Sequence, residues 1–143
     1  MTPTARTLAA CRRLGWMAGV VERYCHHTRR RNDLFGFADI VAVDDELPGV
    51  TLIQCTSGYG GHASARVAKI LDECGENAAR ALAAGNRIEV WAWRKYASGR
   101  WDARRVLIYR NDNCTERREL PSYLEELRVA DEREMLEELE AKR

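Results

Sequence analysis

"FGFADIVAVDDELPGVTLIQCTS", residues 35 to 57, is two short apolar runs joined by an acidic turn. FADIVAV has the near-continuous apolar character of a strand covered on both faces. DDELPG is a turn by composition, punctuated by Pro48 and Gly49, and VTLIQCTS is the next strand. Residues 37–56 are therefore expected to form a hairpin. Two side chains sit oddly in it, Asp39 in the first run and Gln54 in the second. A carboxylate among Phe37, Ile40, Val41 and Val43 is costly unless it is paired, hydrogen-bonded or bound to a metal. Strand alternation puts Asp39 on the face of Phe37 and Val41, which argues for a strand end or a distorted edge. Gln54 and Thr56 share a face of their own strand. Where the two polar faces coincide, Asp39, Gln54 and Thr56 point into one small site whose hard oxygen ligands suit Mg²⁺ or Mn²⁺.

On the N-terminal side, TPTARTLAACRRLG reads as a helix over 4–14, with Thr4 as cap, Leu8, Cys11 and Leu14 at helical spacing and Gly15 as the stop. WMAGVVERY then reads as a strand over 16–24 with Trp16, Ala18, Val20, Glu22 and Tyr24 on one face. A helix running on to Tyr24 is the alternative, disfavoured by Gly15, Gly19 and the Val-Val pair. HHTRRRND is a polar, basic connection. On the C-terminal side, SGYGG is a flexible stretch leading into a helix, HASARVAKILDECG. Its apolar stripe is Ala63, Val67, Ile70, Leu71 and Cys74; its polar stripe carries His62, Arg66, Lys69 and Glu73. ENAARALAAG is a second short helix closed by Gly85, and RIEVWAWRKY and RWDARRVLIYR are two strands around an ASG turn. The capping box SYLE at 122–125 starts an acidic helix with a thin apolar edge of Leu124, Leu127, Met135 and Leu139. Docking on the domain, pairing with a second copy and projection into solvent are all open to it.

The fold class is thus α/β, a central mixed sheet flanked by helices, with residues 1–110 as the domain and 111–143 as an acidic helical extension. A chain of 143 residues with 45% apolar content is long enough for one proper core. No apolar run approaches a membrane span, no secretory leader is recognisable, and five scattered cysteines form neither a disulfide framework nor a zinc motif. The expectation is a cytoplasmic protein without membrane attachment. Residues 1–110 carry a net charge of +6 and 111–143 one of −5, and twenty of the 23 basic residues are Arg. That asymmetry favours a polyanionic partner.

The succession of helix, strand, DLFGFADIVAV, acidic turn, TLIQCTS and basic helix resembles the PD-(D/E)xK nuclease superfamily, over roughly residues 5 to 93. It is similar in particular to the small Holliday junction resolvases and to phage and prokaryotic endonuclease-like proteins. In that family an Asp opens one strand and Glu-x-Lys or Gln-x-Lys follows on the next; the acids hold a divalent metal and the Lys positions the attacking water. The resemblance puts Asp39 of "ADI" on the metal-binding Asp, Gln54 of "QCT" on the acid and Thr56 on the lysine. Gln keeps an oxygen ligand but removes a charge; Thr56 cannot act as a cation, so Lys69, or less readily Arg66, supplies it from the following helix. Glu22 and then Asp33 are the further acids.

The resemblance implies a restriction-endonuclease-like fold and a Mg²⁺- or Mn²⁺-dependent endonuclease acting on DNA, branched junctions among its substrates. A homodimer is implied by resemblance only. The alternative is a catalytically inactive DNA-binding module that retains the fold. Arg29, Arg30 and Arg31, with Arg66, are the candidate phosphate contacts, which carry no base specificity. His26, His27 and His62 are weaker candidates for the site. Trp91, Trp93 and Trp101 read as packing more readily than as base-stacking platforms.

Overall fold

Residues 1–58, 61–112 and 114–143 are described by the computed structural model. Tyr59 and Gly60, in the stretch expected to be flexible, and Asn113 lie outside the described residues. The expected hairpin pairs Ile40–Val43 (β4) with Thr51–Ser57 (β5), Ile40 opposite Ile53 and Ala42 opposite Thr51. They sit in a six-stranded sheet whose spatial order is Met17–Val20 (β1), β4, β5, Arg87–Lys95 (β6), Trp101–Asn111 (β7) and Cys114–Leu120 (β8). Arg23–Cys25 (β2) and Arg30–Asn32 (β3) form a separate ribbon. Neighbours run antiparallel except β5 and β6, which are parallel. A parallel step needs a crossover, here the helices His62–Asp72 (α2) and Gly75–Ala83 (α3).

Each face of the sheet has its own core, as an alternation of period two requires. Ile40, Ile53, Trp91 and Trp93 pack with Cys11 of helix Pro3–Arg13 (α1) and with Tyr123 and Leu127 of helix Tyr123–Ala141 (α4). Leu52, Ile88, Val90 and Ile108 pack with Val67 and Ile70 of α2 and Ala78 of α3. Gln54 and Thr56, in phase with Leu52, therefore belong to the α2 side. Gly49, at φ +71°, seats the β4–β5 turn against the Gly85 carbonyl, where any Cβ would collide.

Four expectations need correction. Thr2, not Thr4, caps α1, its Oγ1 accepting from Ala5 N–H at 3.1 Å with Pro3 in the first turn. The strand expected over 16–24 breaks after β1. Val21 N–H still donates to Asp39 O at 2.9 Å, but beyond Asp39 the opposite chain turns away through Phe35 and Gly36, at φ +59° and +86°. Residues from 23 on therefore take a new partner in β3, inside what read as a connection. FADIVAV is strand only from Ile40; Phe37 and Ala38 lie in a turn closed by a Leu34–Ala38 bridge, fully buried, so the run stays apolar without being strand.

The fourth concerns residues 111–143, which are not wholly helical. A boundary at 110 falls inside β7, and β8 pairs with β7 from Arg105–Leu120 to Asn111–Cys114. CTERREL is a charged edge strand, mostly exposed, and so lacks an apolar pattern. The capping box of Ser122 and Glu125 is present as expected. Only Tyr123 and Leu127 of α4 are buried; Met135, Leu136 and Leu139 are exposed, and Arg133 ties the helix to Glu46 at 2.7 Å. Among the described residues, no helix is long and apolar enough to cross a membrane.

Candidate metal centre

Asp39 stands one residue ahead of β4, the strand end that its burial demands. Its backbone remains in the ladder, N–H to Ile53 O at 2.8 Å and O from Val21 N–H. Its side chain, 4% exposed, takes two hydrogen bonds on one oxygen: Oδ2 accepts from Gln54 Nε2 at 2.9 Å and from Cys55 N–H at 2.8 Å. Around it converge two acids from other segments. Glu22 lies where the chain leaves β1 and Asp33 where it returns from β3; carboxylate oxygens of Glu22, Asp33 and Asp39 lie within 4.8 Å of one another.

That crowding shows in the protonation of Asp39. Burial pushes its carboxyl up to about 8; the Cys55 N–H opposes the rise, while a hydrogen bond with Asp33 and the charges of Asp33 and Glu22 add to it. The rise favours the protonated form of Asp39 near neutral pH. Cations meet the other two carboxylates: Arg31 Nη1 is 3.3 Å from Glu22 Oε1, and Lys69 Nζ is 3.7 Å from Asp33 Oδ2. Two of the three acids thus have a basic side chain beside them.

Gln54, 2% exposed, spends its NH₂ on Asp39, while its Oε1 is buried with no partner. A buried amide oxygen without a donor costs about 1–3 kcal/mol. Turning the amide end for end would bring that oxygen to Asp39 and the cluster. Three carboxylates and an amide oxygen are hard ligands of the type Mg²⁺ or Mn²⁺ takes, and include the one or two carboxylates such a site draws from protein. The residues present fit such an ion.

Of the residues singled out in the sequence, Asp39, Gln54, Glu22 and Asp33 come together, with Lys69 and Arg31 at the rim. Thr56, 6% exposed, instead directs its hydroxyl to Ser57 O at 3.3 Å. Arg30 and Arg66 are exposed without a partner among the described residues, and so is Arg29 at the ribbon's turn. His26 and His27 lie in that turn, and His62 Nδ1 meets Ser57 O at 2.9 Å, outside the cluster. Trp91 and Trp93 are buried in the core, and Trp101 lies under Arg6, 3.5 Å from its ring centre. The donor that sequence reasoning missed is the Cys55 N–H. A backbone group leaves no trace in residue types, and only the pairing register brings it to Asp39.

A second buried acid resolves differently. Glu89 Oε1 accepts from Arg105 Nε at 3.0 Å and Nη2 at 2.8 Å, and from Trp91 Nε1 at 3.1 Å. Arg105 also reaches Glu126 at 3.2 Å, joining β6 and β7 to α4. This is an internal ion pair whose buried acid is met by Arg105 and the Trp91 N–H.

No family model, curated protein or solved structure matches this chain. Fold and site together define an α/β protein with a mixed six-stranded sheet and an acidic cluster able to bind a metal.

Proposed function

We propose that this chain is a divalent-metal-dependent endonuclease of the PD-(D/E)xK type, with a restriction-endonuclease-like fold, acting on DNA. The observation that carries the reading is the convergence of Glu22, Asp33 and Asp39 from three segments beside the buried amide of Gln54. Helix α1, the antiparallel run β1-β4-β5, the crossover helices and the parallel strand β6 follow the order of elements that the resemblance implies. Asp39 heads its strand and Gln54 lies on the next, as the motif requires.

In this reading Asp39, Gln54, Glu22 and Asp33 hold Mg²⁺ or Mn²⁺. Such an ion lowers the pKa of a bound water and neutralises charge on a phosphoryl oxygen. To hold such an ion Asp39 would give up its proton and the Gln54 amide would turn its oxygen inward. Lys69, reaching the cluster from α2, takes the electrostatic role that Thr56 cannot fill and offsets charge developing on the phosphate. Arg29, Arg30, Arg31 and Arg66 grip the phosphate backbone, which orients the nucleic acid without reading sequence.

A second reading, a DNA-binding module without hydrolysis, is favoured by Thr56: a neutral, buried hydroxyl stands at the motif's lysine position. Cleavage of labelled single-stranded, duplex and four-way-junction DNA with Mg²⁺ or Mn²⁺ separates the two. Ion-dependent cutting that Asp39→Ala abolishes supports the nuclease. Salt-sensitive binding without cutting, surviving Asp39→Ala, replaces it with the binding module.

A further inference from the structure

We infer that Arg31 and Lys69 are exchangeable counter-ions: they hold Glu22 and Asp33 while the site is empty, and a divalent ion displaces them onto DNA phosphates. Binding of the ion and of DNA then reinforce each other. The inference rests on the nuclease reading above and adds a coupling to it.

The asymmetry within the two ion pairs carries the argument. The acids are held and the cations are not: Glu22 and Asp33 side chains are 15% and 19% exposed, against 65% for Arg31 and 29% for Lys69. Each contact is single and long, 3.3 Å and 3.7 Å, where a guanidinium gripping a carboxylate with both forks would sit near 2.8 Å. Single, long contacts from cations that still reach solvent hold less firmly than close bidentate pairs. Charge also favours the exchange: Glu22 and Asp33 face two single cations, and one divalent ion carries the same charge as both.

Gln54 reaches the cluster through Nε2, and its Oε1, buried and without a donor, becomes the newcomer's fourth oxygen when the amide is turned. The displaced cations also have somewhere to go. Arg31 adjoins Arg30 and Arg29, and Lys69 lies one turn from Arg66 on α2; these three neighbours are exposed and carry no partner among the described residues. Freed, Arg31 and Lys69 extend two existing basic patches on either side of the cluster.

The consequence is reciprocal by linkage: whatever the ion adds to DNA affinity, DNA adds to ion affinity. The test uses the full chain, Ca²⁺ as the probe ion, and labelled duplex and four-way-junction DNA. Ion uptake is followed by calorimetry and DNA binding by fluorescence anisotropy at constant ionic strength. For the unaltered protein, Ca²⁺ should tighten DNA binding about tenfold. In the Arg31→Gln/Lys69→Gln double variant that tightening should fall to about twofold or less, while Ca²⁺ itself binds several-fold more tightly, since nothing competes for the carboxylates. Arg31→Lys with Lys69 intact should recover most of the coupling.

A double variant that binds Ca²⁺ more weakly, or keeps the full tightening, would overturn the inference. Ca²⁺ uptake and DNA binding that proceed independently in the unaltered protein would overturn it alone and leave the nuclease reading standing. Absence of any Ca²⁺, Mg²⁺ or Mn²⁺ uptake would remove both.

Discussion

Gln54 gives its amide hydrogen to Asp39 Oδ2 at 2.9 Å and keeps its own oxygen buried and unpaired. An acid with a carboxyl raised to about 8 and an amide with an idle oxygen are both in states that an ion would correct. Both features cost the protein stability as it stands.

That expense has a pH signature. The folded carboxyl of Asp39 titrates far above its unfolded value of 3.8, so its contribution is full below about pH 4 and is lost as pH rises through about 8. Asp39→Asn removes the ionisation and can still accept the Cys55 N–H. Without metal, the variant should gain on the unaltered protein by about 4 kcal/mol between pH 5 and pH 9. Urea melts at both pH values check it.

The same proton governs metal uptake. Below about pH 8 the ion must displace it, so affinity for Mn²⁺ should climb about tenfold per pH unit from 6 toward 8 and flatten above. Calorimetry in buffers of different ionisation enthalpy should count close to one proton released per ion at pH 7, and none in Asp39→Asn.

Gln54→Glu places an acid where the proposed nuclease reading expects one. It should tighten Mn²⁺ binding by about tenfold, and lower metal-free stability at pH 8, because a fourth carboxylate then joins a buried cluster. Paired ion titrations and thermal melts are the measurement, and opposite signs are the expected result.

Arg105→Met strands the Glu89 carboxylate in the core, leaving only Arg87 at 3.5 Å and the Trp91 N–H beside it. The cost should be about 3–5 kcal/mol, with the Glu89→Leu/Arg105→Met pair recovering much of it. Chemical denaturation of the three variants gives the coupling directly.

Helix α4 should divide sharply along its length. Leu127→Ala, in the core, should cost about 2–3 kcal/mol, whereas Leu136→Ala, at 61% exposure, should change stability by less than about 0.5 kcal/mol.

How much of this the sequence carried depends on where each signal lives. The 37–56 hairpin, α2 and the Ser122 cap were legible because turn residues, helical spacing and a capping box are local patterns. The ribbon β2–β3 and strand β8 were not, because their side chains are mostly exposed and charged and leave no apolar alternation. Asp39 and Gln54 were visible as polar residues in apolar strands. Glu89 in EVWAW sends the same signal, yet its answer is Arg105 rather than an ion. Only cross-strand register tells the two cases apart: Arg105 lies opposite Trp91, on the face Glu89 shares, whereas nothing basic lies across from Asp39.

The break in the expected 16–24 strand has a consequence for how this chain can vary. Val21 and Asp39 are bonded across the point where the chain leaves the sheet and comes back, and Glu22 and Asp33 stand at the two feet of the excursion. Arg23 to Asn32 stand beyond those feet as a ribbon paired within itself and tied back through Arg31 to Glu22. Its tip, residues 26–29, lies outside the six-stranded sheet, so a change of length or charge there leaves the pairing of β1 with β4 untouched.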